Sequence, residues 1–408
     1  MDRIDNIEII QINISGGDKP GLTSVLTEIL AKYDAFVLDI GQSNIHQSLS
    51  LGILIKTSTD KAGYIMKDLL YKASELDITV RFKPVNQKDY NDWVLRQGKN
   101  RTIITVLGRQ ITAQQLASIT NIVAEQGLNI DAIRRLTGRI PLEEGDRLPK
   151  SCIEISVRGT AKDRSAMQAS FLELSTNLGV DVSLQADDVF RRCRRLICFD
   201  MDSTLIRTEV IDELADRAGV GEAVREITES AMRGEIDFNE SFERRVAMLK
   251  GLDVSVMEDI AVNLPITEGL DRLMTVLKQV GFKTAILSGG FTYFGKYLKN
   301  KYGFDYVYAN ELEIVDGKLT GKHLGDIVDG KRKAELLRLI AQVENVDILQ
   351  TIAVGDGAND LPMLSQAGLG IAFHAKPKVM ANAKQTLSTI GLDGILYFMG
   401  LKDSFLDY

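Results

Sequence analysis

Four apolar residues, Leu196-Ile197-Cys198-Phe199, run directly into Asp200-Met201-Asp202-Ser203-Thr204. A short uninterrupted apolar run suits a strand buried on both faces, the kind found in parallel sheets covered by helices. Ligands of open α/β sheets gather at the carboxyl ends of such strands, so the pattern delivers two carboxylates to the place where chemistry occurs. Two like charges this close both ionise only where a cation joins them or one keeps a proton. The pair therefore points to different tasks for its two members. The competing reading is an acidic turn capping the next helix, since Asp, Ser and Thr are ordinary cap and turn residues.

Two later apolar runs also end in reactive groups. Lys283-Thr284-Ala285-Ile286-Leu287 leads into Ser288-Gly289-Gly290, a hydroxyl with exposed backbone N–H groups that can cradle an anion. Thr351-Ile352-Ala353-Val354 leads into Gly355-Asp356-Gly357-Ala358-Asn359-Asp360. Few carboxylates, completed by waters and substrate phosphate, are what magnesium prefers. Between these runs, Gly330-Lys331-Arg332-Lys333 opens an amphipathic helix with cations able to offset phosphate charge. Strands alternating with helices predict a parallel sheet for this half.

The amino-terminal half repeats itself at a period of roughly ninety residues. Strands are predicted at 8–14, 36–43, 49–56 and 78–84 with helices at 20–32 and 61–76, then strands near 101–107, 129–137, 152–158 and 180–186 with helices near 112–126 and 163–178. Each copy has the β-α-β-β-α-β order of the ferredoxin-like plan. Residues 85–100 read as a polar linker, with Trp93 and Val94 hinting that it docks. The patch Arg191-Arg192-Cys193-Arg194-Arg195 reads as a solvated connection and strand start.

The 408 residues allow about two to four domains. A net charge of −7 and the lack of a basic tract argue against nucleic acid, and no apolar stretch is long enough to span a bilayer. Three cysteines without a CxxC spacing and three histidines fit reduced thiols in the cytoplasm better than disulfides or zinc.

Taken in chain order, Asp200-x-Asp202-x-Thr204, Ser288, a lysine and Gly355-Asp356-Gly357-x-x-Asp360 resemble the four-part signature of the haloacid dehalogenase superfamily. Glu209, Ile236-Asp237-Phe238, Arg244-Arg245-Val246 and Ala372-Phe373-His374-Ala375-Lys376-Pro377 extend the resemblance to its phosphoserine phosphatase family. Gly17-Asp18-Lys19-Pro20-Gly21, with Pro20 placed for a first helical turn, resembles the ligand loop of the ACT domain. The second copy has Gly108-Arg109-Gln110 there instead and lacks that signature. Sensing and scaffolding remain alternatives for both copies.

The resemblance implies an α/β chain, with a Rossmann-like parallel-sheet core carrying a helical cap at about 207–265, preceded by two α+β ACT-like domains. The expected boundaries are 1–86, a linker at 87–100, 101–187 and 188–408. It implies Asp200 as nucleophile and Asp202 as general acid and base. Ser288, Gly289 and Lys333 would hold the phosphoryl group, Lys333 being preferred over Lys331. Mg2+ would be bound by Asp200, the Asp202 carbonyl and Asp356, supported by Asp360 and Asn359. Glu209 and Arg245 would clamp the ammonium and carboxylate of O-phospho-L-serine, with Met232 and Phe238 closing the pocket. A homodimer and an amino-acid effector at Asp18 and Gly21 are also expected, without nucleic-acid or membrane partners. The rival readings are phosphoryl transfer to another alcohol such as homoserine, and an amino-acid-sensing regulatory protein.

Overall fold

The computed structural model describes residues 6–97, 100–139, 141, 150–233 and 235–406. The chain divides into two compact units, Met1–Lys99 and Asn100–Tyr408. In the first, β1 (Ile7–Gly17), β2 (Phe36–Ile45), β3 (Ser48–Ser58) and β4 (Ile78–Val85) form an antiparallel sheet in the order β2-β3-β1-β4. Alternation decides its faces. Ile10, Ile12 and Ile14 turn inward with Ile53 and Ile55 against helices Leu22–Lys32 and Thr59–Leu76, whose Leu26, Leu30, Ile65 and Leu69 complete the core.

Two local expectations change. Pro20 lies outside the first helix, because Gly21 at φ +84° takes the N-cap in a conformation that favours glycine. The expected linker carries a helix, Gln87–Arg96, capped by Asn86 accepting from Asp89 N. Tyr90 and Trp93 of that helix, 5.9 Å apart, line a groove of about 420 Å³ with Gln11, Gly52 and Lys83 on the outer sheet face. A polar segment thus gains order by covering sheet surface with aromatic rings.

In the second unit, β5 (Arg101–Gly108), β6 (Asn129–Arg135), β7 (Ser151–Arg158) and β8 (Asp181–Ala186) repeat the plan in the order β6-β7-β5-β8. The outer face differs from that of the first copy. Leu107 and Cys152 on that face belong to the same apolar cluster as Phe199 and Val354, so both faces of the sheet are covered. Arg191, expected in solvent, is buried and donates to Glu154 at 2.6 Å. A guanidinium at this depth persists because a carboxylate meets it.

The remaining strands are β9 (Leu196–Phe199), β10 (Lys283–Phe291), β11 (Tyr306–Val315), β12 (Lys318–Leu324), β13 (Thr351–Gly355), β14 (Leu369–Phe373) and β15 (Gln385–Leu387). They form one sheet ordered β12-β11-β10-β9-β13-β14-β15, parallel except for the β11–β12 hairpin. The hairpin turns at Asp316 and Gly317, both at positive φ. β9 is central and buried on both faces. Ile197 and Phe199 face one cluster, Leu196 and Cys198 the other, and fully burying each large side chain contributes about 1.5–3 kcal/mol. Residues after β9 leave the sheet for helices Val210–Arg217, Gly221–Met232, Phe238–Ala247 and Ser255–Val262 before the chain returns towards β10.

Candidate active site

Strand order brings the reactive groups together. β9 lies between β10 and β13, with Leu196 level with Lys283 on one side and Thr351 on the other. The three carboxyl ends therefore present Asp200, Ser288 and Asp356 at one edge of the sheet. The helix Gly330–Val343 supplies Lys333 from below, its first turn capped by Asp329. Gly330 is required there, since a Cβ would collide with the Asn359 backbone.

Lys333 has no exposed surface, and its Nζ lies 2.9 Å from Asp200 Oδ1 and 2.7 Å from Asp360 Oδ1. Lys331 is exposed. Asp200 Oδ1 also accepts from Met201 N at 2.7 Å, and Thr204 Oγ1 donates to Asp356 Oδ1 at 3.0 Å. Asp360 Oδ2 accepts from Gly357 N at 2.9 Å. Burial, then the Asp360 charge, holds Asp200 well above the usual carboxylate range. Asp202 is raised by burial and then by Glu209, and Asp356 is pushed up to about 7 by burial and then by Asp360. Burial lowers Lys333, but Asp200 and Asp360 outweigh it and raise the ammonium. Negative charge thus exceeds what one ammonium can offset.

Oxygens of Asp200, Asp356 and Asp360 lie within 4.8 Å of one another. Asp360 spends both of its oxygens on Lys333 and Gly357, whereas Asp200 and Asp356 each keep one oxygen clear of these bonds. Hard oxygen donors crowded in this way fit a divalent cation of the magnesium type. Asp202 faces elsewhere. Its Oδ1 accepts from Val210 N at 3.2 Å at the start of the cap, and a Cβ on Gly290 would collide with its Oδ2.

The Ser288-Gly289-Gly290 loop, an irregular stretch within β10 where pairing with β11 breaks between Leu287 and Phe291, lies across the site. Ser288 Oγ, fully buried, accepts from Gly290 N at 2.9 Å. Gly289 lies beneath the Phe238 ring, which approaches to 3.1 Å of where a Cβ would stand. Asn310, which the sequence reading missed, secures this loop. It is buried, donates from Nδ2 to Gly289 O at 2.8 Å and accepts at Oδ1 from Val328 N at 2.8 Å. One asparagine in a hairpin carries no sequence signal of such a role.

Glu209 occupies the N-cap of Val210–Arg217 without capping it by its side chain, and Oε1 instead accepts from Ser203 Oγ at 2.8 Å. Arg245 is half-buried, which lowers its guanidinium, while Glu209, Asp212 and Asp202 push it back up. Among the described residues its single hydrogen bond runs from Nε to Ser241 O at 3.3 Å, so both terminal nitrogens are unpaired. Met232 ends a cap helix, but its side chain lies outside the described residues. Asn359 is half-buried beside Asp360. His374 bonds Ile390 O through Nε2 at 3.1 Å and packs edge-on against Phe373, a structural arrangement. Asp18 and Gly21 lie exposed after β1, where Asp18 accepts from Asn44 Nδ2.

A parallel sheet with paired aspartates after its central strand, a Ser-Gly-Gly loop and a buried lysine defines a haloacid dehalogenase-like hydrolase, and the family model of that description matches residues 197–365. ACT domain models match residues 8–83 and 101–185. The chain is 37% identical over 396 residues to a phosphoserine phosphatase of Streptomyces coelicolor, covering 97% of this chain and 93% of that protein. It is 39% identical over 396 residues to phosphoserine phosphatase SerB2 of Mycobacterium tuberculosis, covering 96% and 93%. A crystal structure of a probable phosphoserine phosphatase from Vibrio cholerae aligns with a TM-score of 0.57 at 36% identity, over 73% of this chain and 86% of that one. The chain belongs to the phosphoserine phosphatase family.

Proposed function

We propose that this protein hydrolyses O-phospho-L-serine to L-serine and phosphate with Mg2+ as its cation. The observation that carries the substrate is Arg245: a half-buried guanidinium with both terminal nitrogens unpaired among the described residues, under the influence of Glu209 and Asp202. Its planar fork suits a substrate carboxylate, and the Glu209 carboxylate suits the ammonium beside it.

Asp200 attacks phosphorus, and its Oδ forms the P–O bond as the serine oxygen departs. Asp202, whose protonated form is favoured by burial and by the Glu209 charge, gives a proton to that oxygen. The resulting carboxylate then takes a proton from water attacking the aspartyl-phosphate, which restores both groups. Lys333 and the Ser288-Gly289 backbone steady the phosphoryl oxygens, and Asn310 holds that loop in register. Asp200, the Asp202 carbonyl and Asp356 are the proposed ligands of Mg2+, which supplies positive charge against the phosphate. Phe238 shields the loop from water. Among the described residues no helix is long and apolar enough to cross a membrane, and the free thiols of buried Cys152 and Cys198 support a cytoplasmic assignment. We also assign an amino-acid effector to the exposed loop of Asp18 and Gly21. A homodimer is supported by apolar residues exposed on edge strand β2, including Phe36, Ile40 and Ile45.

Phosphate release from phosphoserine, with and without Mg2+ and with homoserine present, tests reaction, cation and acceptor together. Dominant transfer to the alcohol would reject the hydrolase reading. Arg245→Ala is expected to lower kcat/KM for phosphoserine by about a hundredfold, as loss of a charged clamp costs about 3 kcal/mol. The same variant should hydrolyse p-nitrophenyl phosphate within about threefold of the parent, since that ester lacks the carboxylate. Equal losses on both esters would remove Arg245 from substrate selection.

Asp356 makes the cation testable without turnover. Its folded pKa of about 7 exceeds the unfolded value of about 3.9. In EDTA its contribution to stability is therefore complete below about pH 4 and is lost as pH rises to 7. A bound cation prefers the ionised form, so the gain in Tm from Mg2+ over EDTA should grow between about pH 4.5 and 7.5. A gain independent of pH would exclude Asp356 as a ligand.

A further inference from the structure

The cap joins the core through two crossings of the chain that run side by side. Arg207 N donates to Pro265 O at 2.8 Å, Thr267 N donates to Leu205 O at 3.0 Å, and Ile206 and Ile266 form an antiparallel bridge between them. Any shift of this hinge moves Glu209 and Arg245 relative to Asp200.

Glu268, the next residue, is gripped by the second ACT domain. Arg109 donates from Nη1 to Oε1 at 2.9 Å and from Nη2 to Oε2 at 2.6 Å. This bidentate geometry fixes direction as well as distance. On its other side, Glu268 O accepts from Leu392 N at 2.8 Å, and a Cβ on Gly391 would collide with the Glu268 backbone. The neighbouring segment is held by the same domain. Asp181, 2% exposed, accepts from Ser388 N and Thr389 N at 2.9 Å and from Thr389 Oγ1 at 2.6 Å. Lys150 Nζ reaches buried Asp393 at 2.5 Å. Glu268 is therefore wedged between two surfaces that the ACT domain positions.

Arg109 stands in the strand-to-helix loop of its domain, where the first copy carries Asp18 and Gly21. We propose that Arg109 is a positioning residue for the reaction: through Glu268 it fixes the return segment of the cap hinge, and with it the substrate clamp. The second ACT domain then works as a splint, with its loop engaged in docking. This inference rests on residues 207–265 selecting phosphoserine through Glu209 and Arg245. Arg109 makes the bidentate contact with Glu268, and Lys150 Nζ, 3.8 Å from Glu268 Oε1, is a longer second partner from the same domain.

The test uses the full chain with Arg109→Ala, Glu268→Ala, the double variant and Arg109→Lys. Misplacing a clamp by a fraction of an ångström is expected to lower kcat/KM for phosphoserine about tenfold in each single variant, chiefly through KM. The double variant should lose no more than the worse single one, and Arg109→Lys should recover part of the loss. Turnover of p-nitrophenyl phosphate should stay within about twofold, because that ester does not use the clamp. The hinge amides of Arg207 and Thr267 should exchange about tenfold faster in Arg109→Ala. Unchanged phosphoserine kinetics and hinge exchange in both single variants would overturn the proposal. So would equal losses on both esters that follow a fall in Tm, the mark of a merely structural contact. Hinge exchange needs no turnover, so a parent chain inactive on phosphoserine would fail the substrate reading while exchange alone still judges the splint.

Discussion

Asp200→Asn should abolish phosphoserine hydrolysis, with kcat falling by about four orders of magnitude or more, while the fold persists. A carboxamide is too weak a nucleophile to form the acyl-phosphate. Its oxygen can still accept from Met201 N, and Lys333 keeps its contact with Asp360. The substitution also removes a carboxylate that burial and Asp360 disfavour, so Tm should be unchanged or higher. Phosphate release and a thermal melt on one preparation give the answer. Near-normal hydrolysis would reject Asp200 as the attacking group, whereas collapse of the melt would mean that its charge serves the fold.

Lys333→Met should remove both activity and stability. The variant leaves Asp200 and Asp360 buried with no ammonium between them, and breaking one side of such a cluster costs about 3–5 kcal/mol. The pH dependence has a definite sign. Asp200, which burial holds above the unfolded value of about 3.9, contributes stability below that value and loses it as pH rises. Urea unfolding in EDTA should therefore show a larger deficit at about pH 8 than at about pH 5. Turnover should fall about a thousandfold, the scale of losing one preorganised electrostatic contact to the transition state. Parent-like stability in the alkaline sample would show that Lys333 is not the counter-charge of the site. EDTA matters here because a bound cation would take over part of that duty.

These two residues mark how legible the site is in one dimension. Asp200 can be read because a buried strand needs a continuous apolar run, and the residues directly after that run must occupy the sheet edge. The same logic reaches Ser288 and Asp356. Lys333 is harder, since Lys331 and Lys333 have the same chemistry and share the first turn of one helix, though a spacing of two puts them on nearly opposite faces. Burial separates them. Arg191 is misread for the converse reason, because a cluster of arginines has the pattern of a wet surface and Glu154 is distant in sequence. Asn310 escapes notice because its partners, Gly289 and Val328, meet it through the fold.

The two ACT domains show the division most clearly. Their order of strands and helices follows from periodicity within each copy, since alternate burial along a strand and one apolar face along a helix are local demands on residue type. Both copies obey those demands. Whether a copy's outer sheet face stays open or is covered depends on what packs there. Leu107 and Cys152 join the hydrolase core, and Arg109 finds Glu268. The sequence by itself thus determined the elements of both ACT domains, the sheet type and which strand ends carry chemistry, because those are set by backbone periodicity and short-range pattern. It did not determine the helix Gln87–Arg96 of the linker. Only the tertiary structure decided which lysine is buried, which arginine meets a carboxylate and which domain holds the cap hinge, because charge partners are chosen by proximity across the fold.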